Sequence, residues 1–212
     1  MPGDATIEFD TLVGRLEGLE TGDRRRFVAV VGAPGSGKST VAERLVAALN
    51  ARQPARAAIL PMDGFHYDNL YLEPRGLLPR KGAPETFDVG GFESTLARLS
   101  GGSGRPVAVP VFDRSIEVAR AGARVIDPET RLVVVEGNYL LLDRPGWREL
   151  RPYFDMTVLL DVPLEVLEQR LRARWAALSP EAAARQIEGN DLPNARLVIS
   201  DSAAPDFRMR NV

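Results

Sequence analysis

The segment that most constrains this 212-residue chain is Gly32-Ala33-Pro34-Gly35-Ser36-Gly37-Lys38-Ser39. It matches the Walker A pattern, in which glycines let successive backbone N–H groups point inward around phosphate oxygens. The pattern needs a buried strand before it and a helix after it. The apolar run FVAVVG precedes the lysine and STVAERLVAAL follows it. A βαβ unit is therefore expected to begin here.

The same loop predicts a site for ATP and Mg²⁺. Phosphate binds well at a helix N-terminus, where unpaired N–H groups and the helix dipole favour negative charge. Lys38 can reach the β- and γ-phosphates, and the Ser39 hydroxyl can ligate Mg²⁺. The predicted nucleotide-binding residues in this segment are Gly32, Ala33, Pro34, Gly35, Ser36, Gly37, Lys38, Ser39 and Thr40.

Apolar runs and helical patterns alternate along the rest of the chain. Further strands are expected at 57–62, 106–112, 132–137 and 156–162. Helical patterns occupy 38–51, 91–100, 163–178 and 179–188, with a turn near Trp147. Alternation of this kind indicates an α/β protein with a central parallel sheet flanked by helices, as in the three-layer P-loop NTPase fold.

The length fits one domain covering 1–212. Apolar residues at helical spacing predict a short N-terminal helix at 5–21, and a lid-like helical region is expected at about 163–190. The sequence leaves the oligomeric state open, with a homodimer as one alternative.

Composition narrows the class of partner and the compartment. The formal net charge is -2 and the pI is about 5.6, so no global basic field favours nucleic acid. The chain has no cysteine, which removes disulfides and thiolate metal sites. An acidic N-terminus and the lack of 18 consecutive apolar residues give no support for secretion or membrane insertion. A cytoplasmic location is expected.

Lysine is unusual in this chain. Of 27 basic residues, only Lys38 and Lys81 are lysine. A genome biased toward arginine codons would explain why the other basic residues are arginine, but it does not explain why two positions keep lysine.

Two acidic residues follow apolar strands at points where open α/β sheets place their ligands. Asp63 follows the run at 57–62, and Glu136 lies at the end of the run at 132–137. The carboxyl ends of parallel strands meet at one edge of the sheet. A carboxylate there can hold Mg²⁺ or accept the proton of an attacking hydroxyl.

Six pieces of the chain together resemble a known group of enzymes. They are GAPGSGKST, MDGFHYDN, LLPRKGAPETFDV, VPVFDR, VVVEGNYLLL and the arginine-bearing helix near Arg170. These pieces are similar to P-loop kinases of the uridine kinase, phosphoribulokinase and bacterial pantothenate kinase superfamily. The combination of DGFH with RKGAPETFD most resembles the bacterial branch of fructose transport system kinases and uridine kinase-like proteins.

The resemblance implies roles for both strand-end carboxylates. Asp63 occupies the position of the catalytic base, although an Asp before Gly can also simply begin a turn. Glu136 matches the acidic residue of the Walker B strand, where it would bind Mg²⁺ or substrate. The alternative for Glu136 is a cap or loop carboxylate.

Further residues are expected on the substrate side by the same resemblance. Each has a structural alternative, such as a solvated lysine, a structural loop histidine or an exposed turn salt bridge. The substrate-binding candidates are Asp63, His66, Arg80, Lys81, Asp88, Asp113, Arg114 and Glu136.

Arg170 and Arg174 share one helix face because they are four residues apart. They resemble lid arginines that close on the transferring phosphoryl group, and with Asp63 and Lys38 they complete the predicted catalytic set. The alternative is a solvated helix in which Glu165 and Glu168 pair with them. The segment NDLPNA resembles a family segment near the adenine pocket, which adds Asn194 to the nucleotide-binding candidates.

The expected activity is ATP-dependent transfer of the γ-phosphoryl group to a hydroxyl of a small molecule, with a sugar such as fructose or a related metabolite favoured. A nucleoside kinase of the uridine type and a pantothenate-type kinase are alternatives. A nucleotide-binding switch or regulatory ATPase that transfers nothing is an alternative of another class.

Overall fold

A five-stranded parallel sheet forms the centre of the protein, for which a computed structural model describes residues 5–19, 24–102 and 104–211. The strand order is β2-β5-β1-β6-β7, and every neighbouring pair is parallel. This arrangement confirms the predicted fold class. In chain order the strands are β1 (Arg26–Val31), β2 (Ala57–Pro61), β3 (Val107–Asp113), β4 (Val118–Ile126), β5 (Leu132–Gly137), β6 (Met156–Asp161) and β7 (Phe207–Arg210).

Helices and short turns connect these strands. The helices are α1 (Phe9–Leu19), α2 (Lys38–Arg52), α3 (Asn69–Leu72), α4 (Val89–Ser100), α5 (Leu164–Arg174), α6 (Pro180–Gln186) and α7 (Leu192–Asp201). The 3₁₀ turns are Met62–Phe65, Glu73–Arg75, Leu78–Arg80, Pro84–Thr86 and Arg148–Tyr153, and a π turn covers Ile187–Asp191. In the described ranges, no helix is long and apolar enough to span a membrane.

Most predicted helices are present with modified bounds. The N-terminal helix begins at Phe9, later than the expected 5–21, and residues 20 and 21 lie outside the described residues. The long pattern after Val162 ends as a helix at Arg174. A new helix begins at Pro180, where the Ser179 hydroxyl accepts a hydrogen bond from the Ala182 amide.

Side-chain alternation along the strands creates two cores, one on each face of the sheet. On β1, Val28 and Val30 pack with α1 and α2, whereas Phe27, Ala29 and Val31 pack on the opposite face with α4. All five side chains are buried. The two cores give the three-layer arrangement that a parallel sheet requires.

One strand prediction was wrong in its placement. The run at 106–112 does form β3, but β3 pairs antiparallel with β4 in a separate two-stranded sheet. Strand β4 has no signal in the sequence, because its residues are mostly exposed and lack an apolar run. Neither β7 nor α7 was predicted.

The β3–β4 hairpin lies against the turn at the tip of β2 through a close backbone contact. A Cβ atom added to Gly64 would lie 2.3 Å from the carbonyl oxygen of Pro110 in β3. Real Cβ atoms essentially never approach so closely, and a backbone oxygen cannot move aside as a flexible side chain can. The lack of a side chain at Gly64 therefore lets the hairpin pack directly against the turn that carries Asp63.

We expect Gly64→Ala to lower the free energy of unfolding by about 2 kcal/mol, because the methyl group must push the hairpin away from β2. Urea denaturation monitored by circular dichroism measures the change. Gly14→Ala is the matched control, since nothing lies within 4 Å of its added Cβ and alanine favours the surrounding helix. Equal stability of the two variants would contradict the close contact at Gly64.

Candidate active site

The glycine loop between β1 and α2 is built to receive an anion. Gly35 and Gly37 have φ values of 83° and 84°, the left-handed region that favours glycine. Helix α2 begins at Lys38, and no side chain caps its N-terminus. The hydroxyl of Ser36 is buried without a hydrogen-bond partner. A group with several phosphate oxygens fits this cradle, because it would satisfy the open amide groups.

Two residues support the loop from behind. The Asn211 side chain donates to the Ser36 carbonyl at 2.6 Å. Arg170 donates to the carbonyl oxygens of Gly35 at 3.4 Å and Asn211 at 3.0 Å. Arg170 thus supports the loop and does not line the cavity. Of the two predicted lid arginines, only Arg174 lines it. A role of Arg170 in contact with the transferring phosphoryl group has no support in this geometry.

Lys38 is buried at the floor of the site. Its side chain is 9% exposed. Burial lowers its pKa, while the carboxylates of Glu136 and Asp63 raise it. Across the described residues, no carboxylate lies within ion-pair distance of its ammonium group. A buried ammonium group without a contact partner favours an anionic ligand.

Ser39 and Glu136 meet beside Lys38. The Ser39 hydroxyl donates to Oε2 of Glu136 at 3.2 Å. Glu136 is 4% exposed, and burial raises its pKa from 4.5 to about 7, with Lys38 opposing the shift and Asp63 adding to it. Within the described ranges, no group of three or more acidic, histidine or cysteine residues could hold a metal alone. A hydroxyl and one carboxylate suit Mg²⁺ when phosphates and water complete the shell.

Asp63 lies in the turn that follows β2. Its Oδ2 accepts a hydrogen bond from Arg114 at 2.5 Å. Burial acts to raise the pKa of Asp63, but the nearby charges of His66, Lys38 and Arg114 hold it below its usual range. Asp63 is therefore ionised at neutral pH and can accept a proton only from a strong donor or in a transition state.

His66 stands between two aromatic rings. Its ring centroid lies 4.0 Å from that of Phe87 and 4.6 Å from that of Phe112. Its Nδ1 lies 2.7 Å from the Asp63 carbonyl oxygen, so Nδ1 must carry the hydrogen of that bond. Burial lowers the pKa of His66. A neutral ring with Nδ1 protonated leaves Nε2 as a hydrogen-bond acceptor.

These groups surround one open cavity of about 360 Å³. Of the sequence candidates, the cavity is lined by Pro34, Gly35, Gly37, Lys38, Ser39, Thr40, Asp63, His66, Lys81, Arg114, Arg174 and Asn194. A smaller adjoining cavity is lined by Ser39, Asp63, Arg114 and Glu136. The P-loop and the residues after β2 thus face the same space.

Three of the substrate-binding candidates line neither cavity, because nearby groups already hold them. Asp88 caps α4 by accepting from the Gly91 amide at 2.8 Å. Asp113 accepts from the hydroxyl of Ser115 and from Arg120. Arg80 donates to the Gly189 carbonyl and lies 3.6 Å from Glu85. The sequence alternatives of a cap or a turn salt bridge describe these positions better than substrate binding does.

Several cavity residues were missed by sequence reasoning. Asn138 is buried, and its Oδ1 has no partner. Its place two residues after Glu136 could have indicated it. Trp175 and Asp191 also line the cavity and are joined by a hydrogen bond of 2.7 Å. Nothing in their spacing marks them, because the turn between α6 and α7 brings Asp191 to the site.

Arg174 is exposed and lines the same cavity. Partial burial and the charge of Arg114 lower its pKa, whereas Asp191 and Asp63 raise it. The buried Asn194 donates to Asn190 at 3.0 Å and keeps an unpaired Oδ1. Arg174 and Asn194 are therefore available to a bound ligand.

Comparisons with known proteins agree with this geometry. Residues 27–174 match the model of the phosphoribulokinase / uridine kinase family. A Schizosaccharomyces pombe protein, described provisionally as a uridine kinase, is 30% identical over 213 residues, 96% of this chain and 91% of its own. A pantothenate kinase from Shouchella clausii is 36% identical over 152 residues, 66% of this chain and 46% of that enzyme.

A solved structure extends the similarity over nearly the whole length. It is a Silicibacter protein described provisionally as a fructose transport system kinase. It is 47% identical, has a TM-score of 0.87, and the match covers 95% of this chain and 98% of that one. With the P-loop, the strand-end carboxylates and the family match in agreement, this chain belongs to the phosphoribulokinase / uridine kinase family of P-loop kinases.

Proposed function

We propose that the protein uses ATP and Mg²⁺ to phosphorylate a hydroxyl group of a small polar metabolite, a sugar or a close relative of one, in the cytoplasm. The observation that carries the proposal is that Asp63 and the P-loop residues Lys38 and Ser39 line the same cavity. A switch that transfers nothing needs no acceptor pocket beside its phosphate site, whereas this cavity extends from the P-loop to His66 and Phe112.

Each residue has a defined task in this proposal. Lys38, the open amides of the loop and Arg174 stabilise the negative charge of the phosphates. Ser39 and Glu136 would hold Mg²⁺, which neutralises charge on the phosphate oxygens when it is bound. Asp63 orients the acceptor hydroxyl and takes its proton as the oxygen bonds to the γ-phosphorus, while the bond from that phosphorus to the bridging oxygen breaks and ADP leaves.

The acceptor wall favours a polar molecule with several hydroxyl groups. It combines the neutral ring of His66 with the charges of Lys81 and Arg114, and the ring of Phe112 adds an apolar surface. Sugars present both hydroxyl groups and apolar C–H faces, so they suit such a wall. A nucleoside or a pantothenate-like alcohol would use the same phosphoryl-transfer groups and differ only in its contacts with this wall.

An ADP-release screen tests the proposed function. Sugars, nucleosides and vitamin alcohols are supplied singly with Mg-ATP, and the rate is compared with that of protein alone. We expect at least one acceptor to raise ADP release by about tenfold or more. If every acceptor leaves the rate at the protein-alone level, the regulatory ATPase becomes the better interpretation.

Arg114 is expected to set the acid limb of the pH profile. Arg114→Met removes one of the charges that hold the pKa of Asp63 low, so that pKa rises. The acid limb of kcat/KM should then move to higher pH, because protonated Asp63 cannot act as a base. Arg120→Met, which removes an exposed hairpin arginine paired with Asp113, is the control. An unmoved limb would show that Asp63 does not control it.

A further inference from the structure

Lys81 is the only lysine besides the P-loop lysine in this chain. Both lysines line the same cavity, although 43 positions separate them in the sequence and the other basic residues are all arginine. Lys81 follows the 3₁₀ turn Leu78–Arg80 and is half-buried. It lines the cavity with His66 and Phe112.

The Lys81 ammonium group is held by two neutral oxygens. Its Nζ donates to Oδ1 of Asn69 at 2.6 Å and to the Glu117 carbonyl oxygen at 2.6 Å. An ammonium group has three donors, so one N–H is left over. Within the described chain, no carboxylate lies within 4.0 Å of it. The position of the charge is fixed, and its charge is not matched by a contacting anion.

Lys81 stays charged, but no carboxylate among the described residues is close enough to neutralise its positive charge by contact. Burial lowers its pKa, while the carboxylates of Glu117 and Asp68 raise it from a distance. The Phe112 ring centroid lies 5.1 Å from Nζ. Asn69 and Glu117 belong to α3 and to the β3–β4 connection, which form the acceptor wall. A compact ammonium suits this narrow position between two fixed oxygens better than a planar guanidinium does.

We propose that the acceptor carries an anionic group, a carboxylate or a phosphate ester, which binds Lys81 while its hydroxyl faces Asp63. This inference rests on the proposed function and narrows its acceptor from sugars and their close relatives in general to those that are hydroxy acids or phosphate esters. The spare N–H of Lys81 supplies the hydrogen bond and its unmatched charge supplies the attraction.

Matched acceptors test this inference by ADP release. One set is fructose, fructose 6-phosphate and gluconate, and the other is glycerol, glycerol 3-phosphate and glycerate. We expect an anionic member to exceed its neutral partner at least tenfold in kcat/KM, and the preferred member to distinguish phosphate from carboxylate. Lys81→Met should lower kcat/KM for that member by about 10- to 100-fold, mainly through KM, with KM for ATP within about twofold.

Two further variants, Lys81→Arg and Arg105→Met, show whether the effect of Lys81→Met comes from the lost charge at this position or from a general loss of stability. Lys81→Arg keeps a positive charge and should retain part of the preference, whereas Arg105→Met removes an exposed charge that lines neither cavity of the site and should match the wild type. Neutral partners used as well as anionic ones would overturn the inference and leave the proposed function intact. An equal rise in KM for ATP in Lys81→Met would also overturn it, because Lys81 would then act on the nucleotide.

A binding measurement makes the inference independent of turnover. With the nucleotide site saturated by a non-hydrolysable Mg-ATP analogue, inorganic phosphate should still raise the melting temperature of the wild type, and Lys81→Met should lose this shift. If no acceptor is turned over but the phosphate shift depends on Lys81, the proposed function fails and the anion site stands. A shift of equal size in both proteins, or in neither, overturns the anion site.

Discussion

Replacement of Asp63 by asparagine is expected to lower kcat by about 10²- to 10⁴-fold while KM for ATP stays within about twofold. Asparagine has nearly the same shape as aspartate, so it can occupy the same turn after β2. It cannot accept the proton that the acceptor hydroxyl loses as it attacks phosphorus. The residues proposed to bind ATP, in the P-loop and elsewhere, are unchanged.

The electrostatics of the site explain why this effect should be large. Arg114 lies 2.5 Å from the Asp63 carboxylate, and the ammonium group of Lys38 adds nearby positive charge. These charges lower the pKa of Asp63, so the base is ionised before the acceptor arrives. The asparagine variant loses both the base and the negative charge that places Arg114.

The control for this experiment is Asp161→Asn. Asp161 also ends a strand of the same sheet, but it is exposed and lies outside the main cavity. Its substitution should leave kcat within about twofold. Initial rates of ADP release at saturating ATP, with a single acceptor, give both values. A kcat of Asp63→Asn within threefold of wild type would exclude proton transfer to Asp63 as a major contribution.

The parts of the site that were predictable are local in the sequence. The P-loop, Asp63 and Glu136 each follow an apolar run directly. Because the strands are parallel, the carboxyl ends of β1, β2 and β5 meet at one edge, with Glu136 beside Pro61 of β2 and Val30 of β1. A polar residue at the end of a predicted parallel strand can therefore be assigned to the site from the sequence.

The β3–β4 hairpin could not be predicted in the same way. Strand β4 contains exposed arginines and small residues, so it lacks the apolar pattern that identifies a strand. Polar contacts between distant parts of the chain hold it instead, including donation from Arg124 to the Ile59 carbonyl at 2.9 Å. Contacts of this kind form only once distant parts of the chain have come together, so a local sequence pattern cannot predict them.

The sequence does not distinguish residues that line the site from residues of the same type that only stabilise the fold around it. Asp63 faces the cavity, whereas Asp88 caps a helix only because the Gly91 amide lies 2.8 Å from it. Arg174 lines the cavity, whereas Arg170, one turn earlier, is turned toward the back of the P-loop by the carbonyl oxygens of Gly35 and Asn211. The orientation of each side chain depends on partners far away in sequence.

Glu136→Gln is expected to stabilise the ligand-free protein at pH 8 by up to about 3 kcal/mol while it impairs catalysis. The pKa of Glu136 rises from 4.5 to about 7, chiefly because the carboxylate is buried. Ionisation of the folded protein is therefore costly compared with ionisation of the unfolded chain. Glutamine has the shape of glutamic acid and carries no charge, so it avoids this cost.

The sign of the pH dependence follows from that shift. Below about pH 4.5 the carboxyl group is protonated in both states, and above about pH 7 it is ionised in both. Between these values the folded protein binds a proton that the unfolded chain releases. The stability contributed by the neutral acid is therefore complete at the lower limit and is lost as pH rises toward 7. The advantage of glutamine should be small near pH 5 and largest at pH 8.

Urea denaturation at pH 5 and pH 8, without nucleotide or Mg²⁺, measures this difference. Glu149→Gln is the control, because Glu149 is exposed and should give the same stability as wild type at both pH values. In the presence of ATP, Glu136→Gln should need about 10- to 100-fold more Mg²⁺ for half-maximal ADP release. A variant that is no more stable at pH 8 than at pH 5, relative to wild type, would show that the cost of burying Glu136 has been relieved by another group. A gain in stability joined to a higher Mg²⁺ requirement would identify Glu136 as a carboxylate that lowers the stability of the ligand-free protein and is kept for its role in holding Mg²⁺.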